Sequence, residues 1–557
     1  MLNPPFALLP LVFLLATPAA AEKMLLAANS EVLSNWQQTA GTPQTAELVT
    51  QDDGSTRIEW KGGVALDHYQ NRATGGTLLN PALNGNFYKA QVQSDLRATA
   101  LNGNVAYLQV SGTHSDDRAL QRYPLLLQSA QMGWAGDGYQ VALGDVAPSF
   151  SSLGTSLGMR GVLAQKQLGQ SVVSVSAGTL VPTWNSLADA AKRTQYLRNV
   201  AAAKFDIPVG SATRAFVSFQ GYADDPSTLD QGVSSLAPAS GRTSTVGFVH
   251  QHEQLTVTGE AGSSRWTESG RSGLSDHAYL LDANYNGPSY TLRGGHHNLG
   301  VYYTSLSAQA APGIIETYLG GNWLAASWLT LQGDARRSKN SVGDGTRVNA
   351  TTTDSASLAQ AITFGADWPG LGFVLNQSLS AGKNVDGSDN RNSGYGAALN
   401  YTQPIWNAAL SYDLRAVENE ASPTSNGKTD TWNWKLGRAL TDNLTNPTWR
   451  ADLQFSVGMQ EQRLDIGDST RTLQYGVGAA ATRVGWGTLN ASYTLGKVKP
   501  TGSGADLRNR DYMLEASHPF KSGHSLKFYT RDTRTFSGVP ALKNSTRSIG
   551  VQLALVF

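Results

Sequence analysis

Histidine is the residue type in this chain best suited to bind a metal ion or to transfer protons, and nine histidines are present. His296 and His297 are adjacent, so in an extended segment their side chains point to opposite faces and cannot share a metal ion. His250 and His252 are two positions apart and would share a face, but the sequence offers no evident third ligand beside them. We therefore predict no metal site and no cofactor.

Other kinds of catalytic site receive as little support from the sequence. It contains no His-Glu-x-x-His run, no nucleophile elbow and no EF-hand loop. The absence of cysteine from all 557 residues excludes disulfides and thiolate chemistry. Asp334, Arg336, Asp413 and Arg415 alternate in sign within their segments, which favours solvated ion pairs over an acid/base site. We predict that the protein is not an enzyme.

Charge and hydropathy narrow the class of protein further. The formal net charge is +1, whereas a protein that binds nucleic acid needs a marked basic excess. After the first 21 residues, no apolar run approaches the roughly 20 residues that a membrane-spanning helix requires. A membrane protein of this composition must therefore be a closed β-barrel, which is the other structure that satisfies every backbone group in hydrocarbon.

The last ten residues of the sequence have the pattern of a strand in such a barrel. From Ser548 to Phe557, apolar side chains alternate with small or polar ones, so one face meets an apolar medium and the other a wetter one. An edge strand of a soluble sheet has the same alternation. Phe557 ends the sequence on the apolar face, where outer-membrane barrels carry the signal that their assembly machinery recognises, and we predict this role for it.

The connections between strands supply the evidence that the tail lacks. From Thr56 onward about 26 strands can be marked, and long polar links follow odd-numbered strands, as at Ser338–Asp354, while tight turns such as Asn102-Gly103 follow even-numbered ones. Six tryptophans lie near the tight turns, as in the aromatic girdles of outer-membrane barrels. We predict an all-β fold: a single transmembrane antiparallel up-and-down β-barrel of about 24–26 strands, with short periplasmic turns and longer extracellular loops in the cell outer membrane.

Strand periodicity also predicts which side chains face the lumen. In 406–415, aromatic and aliphatic residues occupy one face, and polar residues occupy the other. The same separation recurs in several strands, and the inward set carries both signs of charge. The predicted pore-lining residues are Arg293, Gln332, Asp334, Arg336, Asn407, Asp413, Arg415, Lys527 and Arg531.

Three regions of the chain are predicted. Residues 1–21 resemble a secretory signal, with an apolar stretch that ends in three alanines. Residues 22–55 form a periplasmic or plug segment, in which a short helix would place on one side the candidate plug or docking residues Leu25, Leu26, Leu33 and Trp36. A poorly ordered terminus is the alternative for this segment. Residues 56–557 form the barrel.

One local motif resembles a named family. The chain reads LGDVAPSFSSLGTSLGMRGVLAQ from Leu143, and Gly144-Asp145 followed by Arg160-Gly161 is similar to a strand–loop–strand unit of fimbrial ushers. The resemblance covers about 25 residues. It implies export of protein subunits that a periplasmic chaperone delivers. Ushers also carry a plug domain within the barrel and flanking periplasmic domains, for which this sequence has no room.

The expected width of the barrel leads to a functional hypothesis. Some 26 strands enclose a cylinder about 50 Å across, which side chains cannot fill and which a plug, inward loops or a partner must occlude. We predict a conduit that exports a large substrate, either polysaccharide or protein. Its expected partners are outer-membrane lipid and lipopolysaccharide, the barrel-assembly machinery and a periplasmic protein or scaffold. A passive diffusion porin and a structural or adhesive surface barrel are the alternatives.

Overall fold

The chain forms one closed antiparallel sheet. The computed structural model describes residues 56–557 except 76–82, 155, 230–236, 270–272, 307–311, 344–347, 367, 468 and 503. These described residues form 26 strands, and each strand pairs with the strands that precede and follow it along the chain. The predicted all-β up-and-down barrel is confirmed, with the strand number at the upper end of the predicted range.

The first half of the barrel contains the shortest strands. β5 has 8 residues, and β6, β7 and β13 have 10 each. The first thirteen strands are β1 (Arg57–Gly75), β2 (Gly85–Thr99), β3 (Val105–Ser115), β4 (Leu125–Gly136), β5 (Tyr139–Val146), β6 (Met159–Leu168), β7 (Ser171–Leu180), β8 (Leu197–Pro208), β9 (Thr213–Asp225), β10 (Ala239–His252), β11 (Leu255–Glu268), β12 (Leu274–Asn286) and β13 (Tyr290–Leu299).

The second half of the barrel has longer strands of 13 to 16 residues. They are β14 (Ile314–Ala326), β15 (Leu329–Gly343), β16 (Val348–Thr363), β17 (Leu371–Lys383), β18 (Asp389–Thr402), β19 (Trp406–Asn419), β20 (Gly427–Thr441), β21 (Trp449–Leu464), β22 (Thr470–Arg483), β23 (Gly487–Pro500), β24 (Leu507–Pro519), β25 (Ser525–Ser537) and β26 (Asn544–Val556).

The barrel closes where β26 pairs with β1. The antiparallel register runs from Gly63 opposite Val556 to Gly75 opposite Asn544. Phe557 extends this pairing, because its N–H donates to the carbonyl oxygen of Gly62 at 3.0 Å and its own carbonyl accepts from the Gly62 N–H at 2.7 Å. The closed sheet therefore leaves no exposed edge.

Loop length differs between the two ends of the barrel, as the sequence predicts. Two-residue turns join β4 to β5, β6 to β7 and β10 to β11, whereas the links after β5, β7 and β13 span 147–158, 181–196 and 300–313. The predicted long link at Ser338–Asp354 is wrong. β15 continues to Gly343 and β16 begins at Val348, so most of this stretch belongs to the two strands. Its polar residues belong to strands, where Arg337 lies directly opposite Asp354.

Helices contribute little to the fold. The long link after β7 contains one short α-helix, α1 (Trp184–Ala188), followed by a 3-10 turn at Ala190–Lys192. The Thr183 side chain caps the first turn of α1 by accepting from the Ser186 N–H at 3.1 Å. Among the described residues, no helix is long and apolar enough to cross a membrane.

The two faces of the wall differ in what covers them. Many large apolar side chains are exposed on one face, including the turn-proximal Trp134, Trp328, Trp368, Trp406, Trp449 and Trp486. On the other face the link after β5 reaches Glu260 in the middle of β11, six strands away from β5, and the link after β13 contacts Ser264 of β11. We identify that second face as the interior. Link 147–158 is too short to reach β11 around the outside of the barrel, so it must cross the lumen.

The packed core lies inside the barrel against β5–β13. It comprises two apolar clusters between the inner wall and the segments that cover it. The first contains Ala142, Val146, Met159, Val200 and Tyr222, and the second contains Leu153, Ala278, Leu280, Leu299 and Tyr303.

The backbone of β5 at position 144 requires glycine. We predict that Gly144→Ala lowers the folded fraction of the protein. Its φ is +98°, and a Cβ at this position would collide with the carbonyl oxygen of Ala130. The left-handed conformation alone costs a residue with a Cβ about 1–2 kcal/mol. Refolding into detergent, followed by the heat-modifiable migration of the closed barrel on gels, measures the loss.

Gly496→Ala in β23 is the matched control for this prediction. A Cβ at Gly496 would meet Asn509 Cβ at 3.7 Å, an ordinary contact, so we expect little change. Equal folded fractions for the two variants would contradict the conformational argument.

Candidate functional site

All nine predicted pore-lining residues occupy inward-facing positions of their strands. The cross-strand register connects them to the face that carries Glu260 and Leu280, for example through His297 opposite Leu280 and Glu316 opposite His297. Their role in a conducting path stays a prediction. The residues are Arg293 in β13; Gln332, Asp334 and Arg336 in β15; Asn407, Asp413 and Arg415 in β19; and Lys527 and Arg531 in β25.

Four of these residues meet in one inner groove along β13–β19. Arg293 Nη2 lies 2.6 Å from Asp334 Oδ1, and Arg336 forms an ion pair with Glu316. Arg415 lines the same groove, which has a volume of about 700 Å³. The groove therefore carries three arginines and two carboxylates, and its two ion pairs leave one cation, Arg415, in excess. This mixture of both signs suits contact with a hydrated polymer more than strong selection of one ion sign.

Small neutral side chains form the far wall of this groove. Hydroxyl, amide and glycine positions succeed one another across β16, β17 and β18, and bulky groups are rare among them. They are Ser355, Ser357, Ser378, Ser380, Asn392 and Gly394. Such a surface offers hydrogen bonds to a passing polymer without a deep pocket that would hold it.

The remaining predicted residues lie elsewhere on the inner wall. Lys527 Nζ is 3.5 Å from Glu515 Oε2, and Arg531 Nη2 is 2.8 Å from Asp511 Oδ2. Asn407 and Asp413 lie opposite Gly437 and Thr431 in β20. The structure thus gathers Arg293, Asp334, Arg336 and Arg415 and separates the other five from them.

Two inward-folded segments, 147–158 and 300–306, cover the inner wall of β9–β13, and together we call their described residues the inner platform. Glu260 of β11 anchors the first segment, because its carboxylate accepts hydrogen bonds from the Ser151 hydroxyl, from the Ser152 N–H at 3.0 Å and from the Leu153 N–H at 3.2 Å. Glu260 is 5% exposed. A buried carboxylate with several donors forms strong, directional contacts.

The two platform segments also bind each other. The Tyr303 hydroxyl donates to the Leu153 carbonyl oxygen at 2.9 Å, and the Ser305 hydroxyl donates to the Gly154 carbonyl oxygen at 2.6 Å. Burial raises the pKa of the Tyr303 phenol above its usual value, and the negative charge of Glu260 raises it further. The phenol therefore remains a hydrogen-bond donor at neutral pH.

A third inward contact covers β1–β3. The Tyr69 hydroxyl donates to Asp117 Oδ2 at 2.8 Å, and both residues are buried. Segment 116–123, which contains Asp117, follows β3 on the long-loop side. Inward-folded segments thus lie along the first half of the barrel, while the groove lies along the second half.

Sequence reasoning missed the inner platform. Inward loops are one of the three predicted ways to occlude the lumen, but the sequence analysis assigns no link to this role. Link 147–158 contains Phe150, Leu153 and Leu157, and the second segment contains Tyr302 and Tyr303. Large apolar residues in a link that should be polar were the available signal. The predicted plug residues Leu25, Leu26, Leu33 and Trp36 lie outside the described residues.

The histidines do not assemble into a site. His297 Nε2 is 2.8 Å from Asp282 Oδ1, while His296 Nδ1 is 2.8 Å from Thr317 Oγ1 on the opposite face. The rings of His250 and His252 stack 6.4 Å apart. Within the part of the chain that the structure describes, no group of three or more metal-binding side chains is present.

The motif that resembles ushers forms a compact junction at the top of β5 and β6. Asp145 and Arg160 lie directly opposite each other, with Asp145 Oδ1 3.5 Å from Arg160 Nε. The Trp184 indole donates to Asp145 Oδ2 at 2.8 Å. The junction fixes the point from which segment 147–158 enters the lumen.

Comparison with known proteins gives matches to solved structures alone. No protein-family model matches the sequence, and no curated protein matches it. The copper transporter OprC has 11% identity and a TM-score of 0.41, with 90% of this chain and 80% of OprC covered. The unliganded ferric citrate transporter FecA has 12% identity and a TM-score of 0.38, with 89% and 78% covered. The P pilus usher PapC translocation pore has 11% identity and a TM-score of 0.29, with 90% and 99% covered.

Proposed function

We propose that this barrel spans the outer membrane and exports a large hydrated polymer, either polysaccharide or protein. The observation that carries the proposal is the closed 26-strand wall that the described residues form. At about 4.8 Å between strands and a tilt of about 40°, the backbone cylinder is about 50 Å across. This width exceeds what inward side chains fill and suits a substrate larger than a small solute.

The outer face supports insertion into lipid. Outward positions carry exposed aliphatic and aromatic side chains around the wall, among them Val92, Phe219, Leu319, Leu410, Val477 and Phe528. In water such a surface would promote aggregation, whereas in a bilayer it is solvated by acyl chains. The exposed tryptophans near the tight turns match the interfacial position that indole rings prefer.

The inner face supports passage of a hydrated chain. Ion pairs join Arg293 to Asp334 and Arg336 to Glu316 in the groove, and serine, asparagine and glycine line the wall beside them. A polymer with its own hydration shell gains hydrogen bonds there and meets no strong single-sign field. The inner platform narrows the lumen from the opposite side, and a partner or residues 22–55 would complete the closure until the substrate engages.

Single-channel recording in planar bilayers tests this function. We expect the isolated protein to be mostly closed or to open into a large, irregular conductance that neutral polymers of graded size enter. A small and steady unit conductance would instead support a diffusion porin. Failure to conduct after removal of 147–158 would support a structural or adhesive barrel.

Deletion of 22–55 provides a companion measurement. We expect the open fraction to rise if this segment helps to close the lumen. An unchanged conductance would remove the segment as a plug and leave a periplasmic partner in that role.

A further inference from the structure

The outer face of the barrel carries a concentrated group of cations at the long-loop end of β22–β26 and β1. Outward positions follow from the register, since they alternate with the inward set on each strand. We call these eight residues the cationic band: Arg72, Arg471, Lys497, Lys499, Arg508, Arg510, Arg534 and Arg547.

Members of the cationic band face each other directly across strand pairs. Four cross-strand pairs join two cations each: Arg471 with Lys499, Lys497 with Arg508, Arg510 with Arg534, and Arg547 with Arg72. Like charges directly opposite in a sheet are destabilising. The chain by itself therefore leaves this surface electrostatically unfavourable.

Few acidic groups offset this charge. Among the described outward positions of these six strands, Asp532 is the one carboxylate; it lies opposite Arg547, and Arg534 donates to both of its oxygens at 2.7 Å. Glu461 lies opposite Arg471 but is paired with Arg463 at 2.9 Å. Arg510 Nε is occluded from solvent and has no hydrogen-bond partner in the described part of the chain.

At the long-loop end of β15–β19, the outward charges are arranged differently. On β15–β19 outward cations lie directly opposite carboxylates: Arg337 opposite Asp354, Lys383 opposite Asp389, and Arg391 opposite Glu418. The first two pairs have N–O distances of 3.5 Å and 3.0 Å. The chain thus neutralises the outward cations of β15–β19 with its own carboxylates. The charge of the cationic band is left for an external anion to neutralise.

We propose that the cationic band binds the phosphate groups of lipid headgroups in the leaflet at the long-loop end, an inference that rests on the proposed membrane insertion. Arginine pairs with phosphate through two parallel hydrogen bonds, and clustered arginines can share several phosphate oxygens. Exposed apolar residues such as Tyr493, Phe528 and Ile549 lie on the same face toward the tight-turn end. A lipid with phosphates above and acyl chains below matches this order of charge and hydrocarbon.

A triple variant, Arg72→Gln with Arg508→Gln and Arg510→Gln, tests the proposal by removing one cation from each of three like-charge pairs while keeping Arg547, which lies opposite Asp532. The readout is the thermal midpoint of the closed, heat-modifiable barrel in neutral detergent, with and without diphosphoryl lipid A. We expect lipid A to raise the midpoint of the unaltered protein by several degrees and to have little effect on the variant. Without lipid, the variant should be at least as stable as the unaltered protein, because repulsion is relieved.

The matched control is Arg337→Gln with Lys383→Gln, which removes cations that the chain already pairs. This control should keep the full shift with lipid A and be no more stable than the unaltered protein without it. If the triple variant does not fold, Arg510→Gln alone should reduce the shift.

Three outcomes would overturn the proposal: an undiminished shift in every folded band variant, an equal shift with lipid A that lacks phosphates, or an equal shift with inorganic phosphate. Bilayer recording of the same proteins separates this inference from the proposed function. Normal insertion and conductance with no phosphate-dependent shift would reject the cationic band as a lipid site and leave the conduit intact.

Discussion

A barrel that carries Glu260→Ala is expected to conduct more than the unaltered protein, because the inner platform loses its anchor on β11. The substitution removes the acceptor for the Ser151 hydroxyl and for the Ser152 and Leu153 amides. Each hydrogen bond to a charged group contributes about 1.5–3 kcal/mol. Without the carboxylate, these donors would be buried with no acceptor. We therefore expect segment 147–158 to leave the wall, so that its donors bind water instead.

Cysteine labelling measures the release directly. The sequence contains no cysteine, so Leu153→Cys gives a single thiol at a position that is 1% exposed. We expect slow reaction with a water-soluble maleimide in the parent and fast reaction once Glu260→Ala is added, together with larger single-channel currents.

The control for this prediction is Glu515→Ala on β24. Glu515 is also an inward carboxylate, but it pairs with Lys527 at 3.5 Å on another sector of the wall. It should leave labelling at position 153 unchanged. Slow labelling and unaltered currents in the Glu260→Ala protein would show that the platform does not depend on this anchor.

Deletion of Phe557 is expected to slow closure of the barrel strongly. The residue adds two backbone hydrogen bonds to the β26–β1 seam, and its ring lies 4.7 Å from the Trp60 ring. Loss of these contacts costs about 2 kcal/mol or more, and it does so at the strand pair that must form for the sheet to lose its edges. The measurement is the rate at which heat-modifiable protein appears in lipid vesicles that contain no other protein.

Comparison with assembly in cells separates the two proposed roles of Phe557. A defect in both settings supports a contribution to the seam, whereas normal closure in vesicles with failure in cells would leave recognition by the assembly machinery as its role. Phe219→Ala on the outer face serves as the control, since this exposed residue lies on β9, eight strands from β1. It should close at nearly the normal rate.

Strand periodicity is local, so the sequence alone separates the two faces of a strand. Alternation in β19 separates Trp406 and Leu410 from Asn407 and Asp413, and no distant contact is needed to infer it. Loop boundaries were harder to predict. The stretch Ser338–Asp354 is polar because its strands extend beyond the apolar part of the wall, and polarity alone does not distinguish such a strand end from a loop.

The inner platform and the cationic band were not predicted, for a common reason. Glu260 and Ser151 are 109 residues apart in the chain. They are in contact because the sheet is closed and segment 147–158 crosses the lumen from β5 to β11. The opposition of Arg510 to Arg534 likewise depends on the exact register of β24 and β25. A shift of one residue would exchange the two faces.

By itself, the sequence determined that this protein is a wide all-β barrel with an apolar outside and a polar inside, because those properties follow from residue alternation and loop length along the chain. The tertiary structure decided which links fold into the lumen, which inward charges meet and which outward cations face one another. Closure of the sheet sets these relations, since it fixes the distances between residues that the sequence leaves independent.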